Sequence, residues 1–359
     1  MTKLNYFHIE RENNPKRREA FTADFLGKIS PVNNDNLLTG CECLETILKR
    51  SLKVQSAGEN ILIIGLTESG IIPSILMQKV ARENGMTTAL LSSTRRPSTS
   101  GIVFTEKHSH GPNHSIPVPS PEISEIWIVE DELTTGNTVF EVLSRFCFQL
   151  KIKTIRIFAL VDFRNKKQKK EAFIIAQSFD VKCIFQSFLV FTDTSFTDPK
   201  KILSTTINTE NSAPERKNRL KDIGHHDSWL MYKYRSALYE QHNKEDNDPN
   251  WHLSDSFEDT TVLVIGETVD IATRLALKNP GFSFQHITLS PWKIDNASIV
   301  SRLDFDNKYF LYNYKNLSRM ICILNDPIDK EISKIVKNKL EEYGFTVCPF
   351  PLTELIKSN

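Results

Sequence analysis

The sequence has no surplus of charge: 45 Lys and Arg face 44 Asp and Glu, a net charge of +1. A general attraction to nucleic acid or an anionic membrane is therefore not its organising feature, although local patches can still act. No apolar run approaches the length of a membrane span. The first residues, MTKLNYFHIERENNPKRREAF, lack the apolar centre of a secretory leader. The expectation is a cytoplasmic protein without a membrane partner. Cysteine is sparse. Cys41, Cys43, Cys147, Cys183, Cys322 and Cys348 are scattered, and the C-x-C spacing of the first two matches no common zinc or redox pattern. Reduced, structural thiols are expected. No internal repeat is present. What remains is ordinary globular composition, 40% apolar and 25% charged over 359 residues, which excludes a mainly disordered chain and leaves room for two domains.

From about residue 60, strand-like runs alternate with amphipathic stretches. NILIIGL, MTTALLSS, EIWIVE and KTIRIFALVDF are apolar enough to lie buried in a parallel sheet, and IPSILMQKVARENG and TVFEVLSRFCFQL between them read as helices. That alternation predicts an α/β fold, a Rossmann-like parallel sheet with helices on both faces and its ligand site at the carboxyl ends of the strands. Residues 92–122 break the rhythm with Gly, Pro, Ser and three of the nine histidines, and a loop of this length reads as a lid. The polar stretch 193–218 reads as a linker between a domain over 1–192 and another over 219–359. In the latter, TTVLVIGE, FSFQHITLS, RMICILND and FTVCPFPL are strand candidates, with helical patterns at 268–279 and 328–343. They predict a second, smaller α/β domain.

The stretch IWIVEDELTTGNTV, residues 126–139, carries the chemistry. Ile126 to Val129 read as a buried strand, and Thr134, Thr135, Gly136, Asn137 and Thr138 can form the tight turn that opens a helix and offers backbone N–H groups to an anion. Carboxylates beside an anion cradle repel phosphate unless they serve sugar hydroxyls or a magnesium ion on the same ligand. A ribose 5-phosphate satisfies both halves. Glu130 and Asp131 would accept from the 2′- and 3′-hydroxyls, and the 134–138 turn would hold the 5-phosphate. The plain alternative is an acidic strand end followed by a helix cap.

These residues resemble the signature of the type I phosphoribosyltransferases: four apolar residues, two acidic ones, two intervening positions and a Thr/Gly turn. The sequence departs at Glu132, where the superfamily normally has a small or apolar residue. The resemblance implies a fold of that kind and a transfer of ribose 5-phosphate from phosphoribosyl pyrophosphate to a nitrogen acceptor, a nucleobase or a related compound. It also implies Mg2+, reached by Glu130 and Asp131 through water. The turn after ILIIGL, namely Thr67, Glu68, Ser69 and Gly70, falls where the family has its pyrophosphate loop. The segment STRRPSTSGIVFTEKHSHGPNHSIPVP falls where it carries a mobile catalytic lid, with Arg95, Arg96, Lys107, His108 and His110 as its cations, and His114 beside them. Two other readings of that loop stay open: a solvated polar loop, and a zinc site on His108, His110 and His114.

Taken together, RENNPKRREAFTADFLGKISPV, STRRP, TEKHSH and VEDELTTGNT resemble the branch of bacterial tellurite-resistance and related stress gene clusters, in which a C-terminal TRSP domain follows the transferase. VLVIGE, ITLSPW and KYFLYNYKNL are similar to that partner. Of its Gly-Thr-Gly-Glu turn and Thr-Arg-Ser-Pro tetrapeptide, Gly266, Glu267, Ser290 and Pro291 remain. The resemblance implies an N-terminal hood within 1–192. The C-terminal part is expected to lack a catalytic set of its own and to bind a partner or a nucleotide-like product. After ALVDF, the run FRNKKQKKEAF carries Arg164, Lys166, Lys167, Lys169 and Lys170. It is open between a solvated helix start, a nucleic-acid patch and a border of the base pocket, with Asp162 and Phe163 touching the base. A rival reading keeps the same ligand site in a phosphoribosyl-pyrophosphate-sensing regulator or a stress or phage-defence effector. A homo-oligomer, or a protein partner for the C-terminal domain, also stays open.

Overall fold

The computed structural model describes residues 6–12, 19–58, 60–96, 102–105, 113–116, 123–147, 152–190 and 259–350. A hairpin opens the chain, β1 (Tyr6–Glu10) against β2 (Glu19–Ala23). Helix α1 (Asn34–Val54) follows. Asn33 starts it: its side chain accepts from the Asn36 N–H at 3.2 Å, and the Asn36 side chain accepts from the Asn33 N–H at 3.1 Å. Two N–H groups that the helix start leaves open are thereby satisfied.

The first sheet is built from β3 (Ile61–Gly65), β4 (Thr88–Ser92), β7 (Glu125–Leu133), β8 (Thr154–Asp162) and β9 (Lys182–Val190). All neighbours are parallel, in the order β4-β3-β7-β8-β9. Alternate residues of each strand face opposite sides. Ile61, Ile63, Trp127 and Val129 join α1 and α2 (Ile71–Glu83) on one side. Leu62, Ile64, Ile126 and Ile128 join α3 (Asn137–Cys147) and α4 (Lys166–Ser178) on the other. With both faces covered, the central strands are apolar throughout, which is why they could be read from sequence. Because β4 lies on one side of β3 and β7 on the other, the connections diverge between β3 and β7. The carboxyl ends of that pair form the crevice in which open α/β sheets hold ligands.

Residues 92–122 are more than a loop. Within them β5 (Ile102–Thr105) pairs antiparallel with β6 (Asn113–Ile116), and Ile102, Phe104 and Ile116 are buried in the same cluster as α3. The segment 193–218 lies outside the described residues.

A second, smaller parallel sheet contains β10 (Thr260–Ile265), β11 (Ser283–Ile287), β14 (Met320–Leu324) and β15 (Thr346–Pro349), ordered β11-β10-β14-β15. Helix α6 (Lys330–Glu342) and the hairpin β12 (Arg302–Phe305) and β13 (Tyr309–Tyr312) pack on one face. On the other face Val262, Val264, Phe284 and Leu324, with α5 (Val269–Lys278), merge into the cluster that holds α1 and α2. The two sheets therefore share one apolar core. Backbone pairing adds to it: Val32 and Phe284 exchange N–H···O bonds of 2.7 and 2.9 Å, the Glu12 N–H donates to the Pro291 carbonyl at 2.8 Å, and the Lys293 N–H to the Glu10 carbonyl at 2.8 Å. Among the described residues no helix is long and apolar enough to cross a membrane, and Cys41, Cys43, Cys183, Cys322 and Cys348 are free thiols.

Candidate active site

A cleft open to solvent lies at the carboxyl ends of β3 and β7. The turn after β3 supplies Thr67, Glu68 and Ser69 to its wall. Gly70 does not line it but makes the turn feasible: a Cβ there would meet the Leu66 N at 2.6 Å and the Val129 carbonyl at 2.9 Å. Only glycine lets the turn pack this closely on β7. The Thr67 N–H donates to the Ser93 hydroxyl at 2.8 Å, the Gly70 N–H donates to the Leu66 carbonyl at 2.8 Å, and the Thr67–Glu68 peptide is cis.

From the end of β7 come Glu130, Asp131 and Glu132, followed by Thr134, Thr135, Gly136 and Thr138. Gly136 has φ +83°, a conformation that L side chains rarely adopt. The Asn137 N–H bonds the Thr135 hydroxyl at 3.3 Å. Asn137 itself is exposed and does not line the cleft. The Asp131 carboxylate is oriented by the Glu132 N–H at 2.8 Å. The two motifs thus converge on adjacent strand ends, two turns facing each other with carboxylates between them.

Arg95 lines the cleft, its guanidinium 3.7 Å from Glu68. Arg96 is not in the lining and instead pairs with Asp329. Lys107, His108 and His110 lie outside the described residues. His114 is buried, its Nδ1 3.1 Å from the Ser93 hydroxyl and its ring stacked on Phe104 at 5.1 Å, so it is a core residue rather than a cleft cation. Arg164 is likewise buried, bonding Asp162 through two nitrogens at 3.0 Å, while Lys166, Lys167 and Lys170 are exposed on the first turns of α4. Phe163 packs on Phe21, with ring centroids 4.6 Å apart, and Phe21 lines the cleft.

Several wall residues are not assigned to the site by the sequence. Arg11, Phe21 and Lys28 come from the N-terminal segment, and Leu289, Ser290 and Trp292 from the second sheet. The stretches RENNPKRREAFTADFLGKISPV and ITLSPW that contain them stand out in the sequence only by resemblance to the branch, not as parts of this site. Glu68 is the joint between the two. It accepts from the Thr288 hydroxyl at 2.6 Å and lies 3.7 Å from His286 and 3.9 Å from Lys28. Burial opposes its ionisation, yet His286, Lys28, Arg95 and the Thr288 hydroxyl hold its carboxyl down to about 2. Burial pulls the His286 imidazole below its ordinary value, more than neighbouring Glu68 raises it.

The second sheet also has a crevice, between β10 and β14, and the first unit occupies it. The Thr94 hydroxyl and Arg95 N–H donate to Glu267 at 2.9 and 2.8 Å. Arg96 lies over Gly266, where a Cβ would be 3.5 Å from its guanidinium. Gly266 and Glu267 are thus engaged in binding the segment 94–96 that follows β4.

Fold and site together define an α/β protein with a polar cleft at a topological switch point of its parallel sheet. The family described as phosphoribosyl transferase matches residues 7–190, more than half of the sequence, and the chain belongs to it. Phosphoribosyl transferases are enzymes of the glycosyltransferase kind. No curated protein matches it. Similar solved structures include an adenine phosphoribosyltransferase from Rhodothermus marinus, 13% identical over 52% of this chain and 94% of that one, TM-score 0.35. Another, from Leishmania tarentolae, is 15% identical over 52% and 83%, TM-score 0.35. A third, from Trypanosoma brucei in complex with AMP, pyrophosphate and ribose-5-phosphate, is 12% identical over 58% and 83%, TM-score 0.37.

Proposed function

We propose that the chain transfers ribose 5-phosphate from phosphoribosyl pyrophosphate to a nitrogen acceptor, a nucleobase or a related compound, and releases pyrophosphate. The observation that carries this reading is the shared cleft, in which the Thr134 to Thr138 turn, the Glu130–Asp131 pair and the Thr67 to Ser69 turn line one cavity. In the reaction the C1–O bond to the diphosphate breaks and its electron pair leaves with the diphosphate. The lone pair of the acceptor nitrogen forms the C1–N bond, and the nitrogen then loses its proton. The protein's part is positional and electrostatic. The 134–138 turn anchors the 5-phosphate, Glu130 and Asp131 orient the ribose through its hydroxyls, and the backbone after β3 with Arg95 and Lys28 faces the departing diphosphate. Arg96, Lys107, His108 and His110 are proposed as the cations of the lid.

Magnesium fits this donor set. Hard carboxylate oxygens stand beside a phosphate cradle, and Mg2+ is commonly held by one or two carboxylates, substrate phosphates and water. Among the described residues no group of three or more potential ligands forms a ready-made site, so Glu130 and Asp131 would reach the ion through water. Bound there, it would offset the charge of the diphosphate. The C-terminal part, 219–359, is proposed as a TRSP-like domain of the tellurite-resistance and stress branch, joined through 193–218 to the transferase over 1–192.

The test is incubation with phosphoribosyl pyrophosphate, Mg2+ and a panel of nucleobases while pyrophosphate release is followed. Release that depends on a base supports transfer. Tight binding without turnover favours the sensing regulator, for which the Glu68–Thr288 joint gives a route to the C-terminal part. Absence of phosphoribosyl pyrophosphate binding rules out both.

A further inference from the structure

Beyond β4 the backbone N–H groups can be followed one by one. Ser93 donates to the Gly65 carbonyl at 2.9 Å and Thr94 to the Ser115 carbonyl at 2.8 Å, both within the first unit. The next, Arg95, donates to the Glu267 carboxylate at 2.8 Å, and the same oxygen accepts from the Thr94 hydroxyl at 2.9 Å. Glu267 belongs to the second unit, so the backbone that aims Arg95 into the cleft is set by the C-terminal part of the chain. We infer that Glu267 and Thr288 are positioning residues for the diphosphate side of the transferase cleft, Glu267 acting on the backbone of Arg95 and Thr288 on its guanidinium through Glu68. The inference rests on the reading above, which places Arg95 and the turn after β3 beside the departing diphosphate.

Each anchor is itself fixed. Glu267 is buried in the turn after β10. In that turn the Gly266 carbonyl lies 3.1 Å from the His286 Nε2, and the Thr268 hydroxyl donates to the Ile265 carbonyl at 2.9 Å. A carboxylate on so constrained a turn offers its acceptor at one place. Thr288 is buried too, and exchanges backbone bonds of 3.1 and 2.8 Å with Phe310. Its hydroxyl accepts from the Ser290 N–H at 3.1 Å, which turns its proton to Glu68 at 2.6 Å. Glu68 in turn lies 3.7 Å from the Arg95 guanidinium. The second unit therefore reaches Arg95 at both ends, directly at the backbone and through Glu68 at the side chain.

The same contacts reach the turn after β3. The Thr67 N–H donates to the Ser93 hydroxyl at 2.8 Å, and the Thr67 hydroxyl donates to the Ser93 carbonyl. The turn and the segment after β4 are thus joined into one wall, docked on the second unit by Glu267 and Thr288. Such docking matters for binding. An arginine side chain has several rotatable bonds, so a guanidinium already held in place loses less freedom when its ligand arrives. A donor displaced from the charge it faces contributes much less.

The experiment uses the full chain with Mg2+ and two calorimetric readouts, the affinity for phosphoribosyl pyrophosphate and that for ribose 5-phosphate, which lacks the diphosphate. Glu267→Ala should weaken phosphoribosyl pyrophosphate by about tenfold and leave ribose 5-phosphate within about twofold, a split that general damage to the fold would not produce. Glu267→Gln keeps an oxygen that can accept both bonds, and should bring phosphoribosyl pyrophosphate back to within about threefold of wild type. Thr288→Val keeps the shape and removes the hydroxyl. It should show the same split, and it carries the test if Glu267→Ala does not fold. A double-mutant cycle with Arg95→Ala asks whether Glu267 acts through that arginine: in its absence Glu267→Ala should cost no more than about a further twofold. The inference alone is overturned by fully additive losses, by equal weakening of both ligands, by a Gln variant as weak as the Ala one, or by unchanged phosphoribosyl pyrophosphate affinity in the folded variants. A wild type that does not bind phosphoribosyl pyrophosphate overturns the proposed function with it.

Discussion

Gly136 and Gly70 serve the same cleft for different reasons. At Gly136 the nearest atom to an added Cβ is 3.4 Å away, so there is room, but φ is +83°. A side chain there pays in backbone energy, on the order of 1–2 kcal/mol, by shifting the turn out of shape. Gly136→Val is expected to weaken ribose 5-phosphate by at least about tenfold while the protein stays folded, as calorimetry beside circular dichroism can check. Asp131→Asn keeps shape and removes charge. Charge-assisted hydrogen bonds are worth about 1.5–3 kcal/mol each, so a loss of about tenfold or more is expected in the same titration. If neither substitution weakens binding, the two carboxylates are only a charged strand end. A third residue-scale case lies at the amino ends of the strands, where Arg156 and Glu125 are fully buried and paired and Arg156 also donates to the Ser51, Gln55 and Ser56 carbonyls. Arg156→Met strands the carboxylate and should cost about 3–5 kcal/mol in urea denaturation. Adding Glu125→Gln should recover part of that loss, and no recovery would mean that the carbonyls, not the carboxylate, are what Arg156 serves.

At the scale of elements, legibility followed burial. Strands covered on both faces, such as β3 and β8, are apolar along their whole length and could be read directly, as could the helices α2 and α3 between them. Helix α1 was not, because NDNLLTGCECLETILKRSLKV spreads its buried positions among polar residues and a glycine, and its start is set by an asparagine pair whose geometry spacing alone does not reveal. Strand β9 was missed because it is an edge strand with only Ile184 buried. The hairpin β5–β6 hid inside a stretch whose Gly, Pro and His content reads as loop. In the site, contiguous motifs on neighbouring β–α turns were legible, whereas Arg11, Lys28 and Trp292 meet only through tertiary packing. Arg96, just after β4, pairs with Asp329 of the second unit. Burial, with Asp326 and Glu267 nearby, raises the Asp329 carboxyl from 3.8 to about 6 despite its bond to Arg96. The folded state therefore holds this proton more tightly than the unfolded chain, and the group's contribution to stability is present below pH 4 and falls as pH rises to about 6. Asp329→Asn should flatten that part of a stability profile measured by chemical denaturation. Superimposable profiles for variant and wild type would remove Asp329 from the pH response.

At the scale of the whole molecule, the two sheets behave as one structure in the packing that joins them. Helix α5 carries Leu275, fully buried in the cluster that also holds Leu44 and Ile47 of α1 and Leu76 of α2. Neither unit has a surface there that water should meet, since separating them would expose apolar area worth roughly 25 cal/mol per Å². The N-terminal segment adds backbone bonds to both sides, and Glu68 ties the turn after β3 to Thr288. A fragment containing only the second sheet would therefore lack part of its core. Leu275→Ala tests this without cutting the chain. Removing a fully buried leucine side chain costs about 2–5 kcal/mol, and the shared core predicts that the whole molecule loses stability together. Thermal unfolding should remain a single transition at a lower midpoint, and ribose 5-phosphate binding, proposed for the other unit, should vanish across that same transition. Two separated transitions, with the phosphate site surviving the first, would show instead that the sheets fold independently and that the contacts between them are a docking interface rather than a common core.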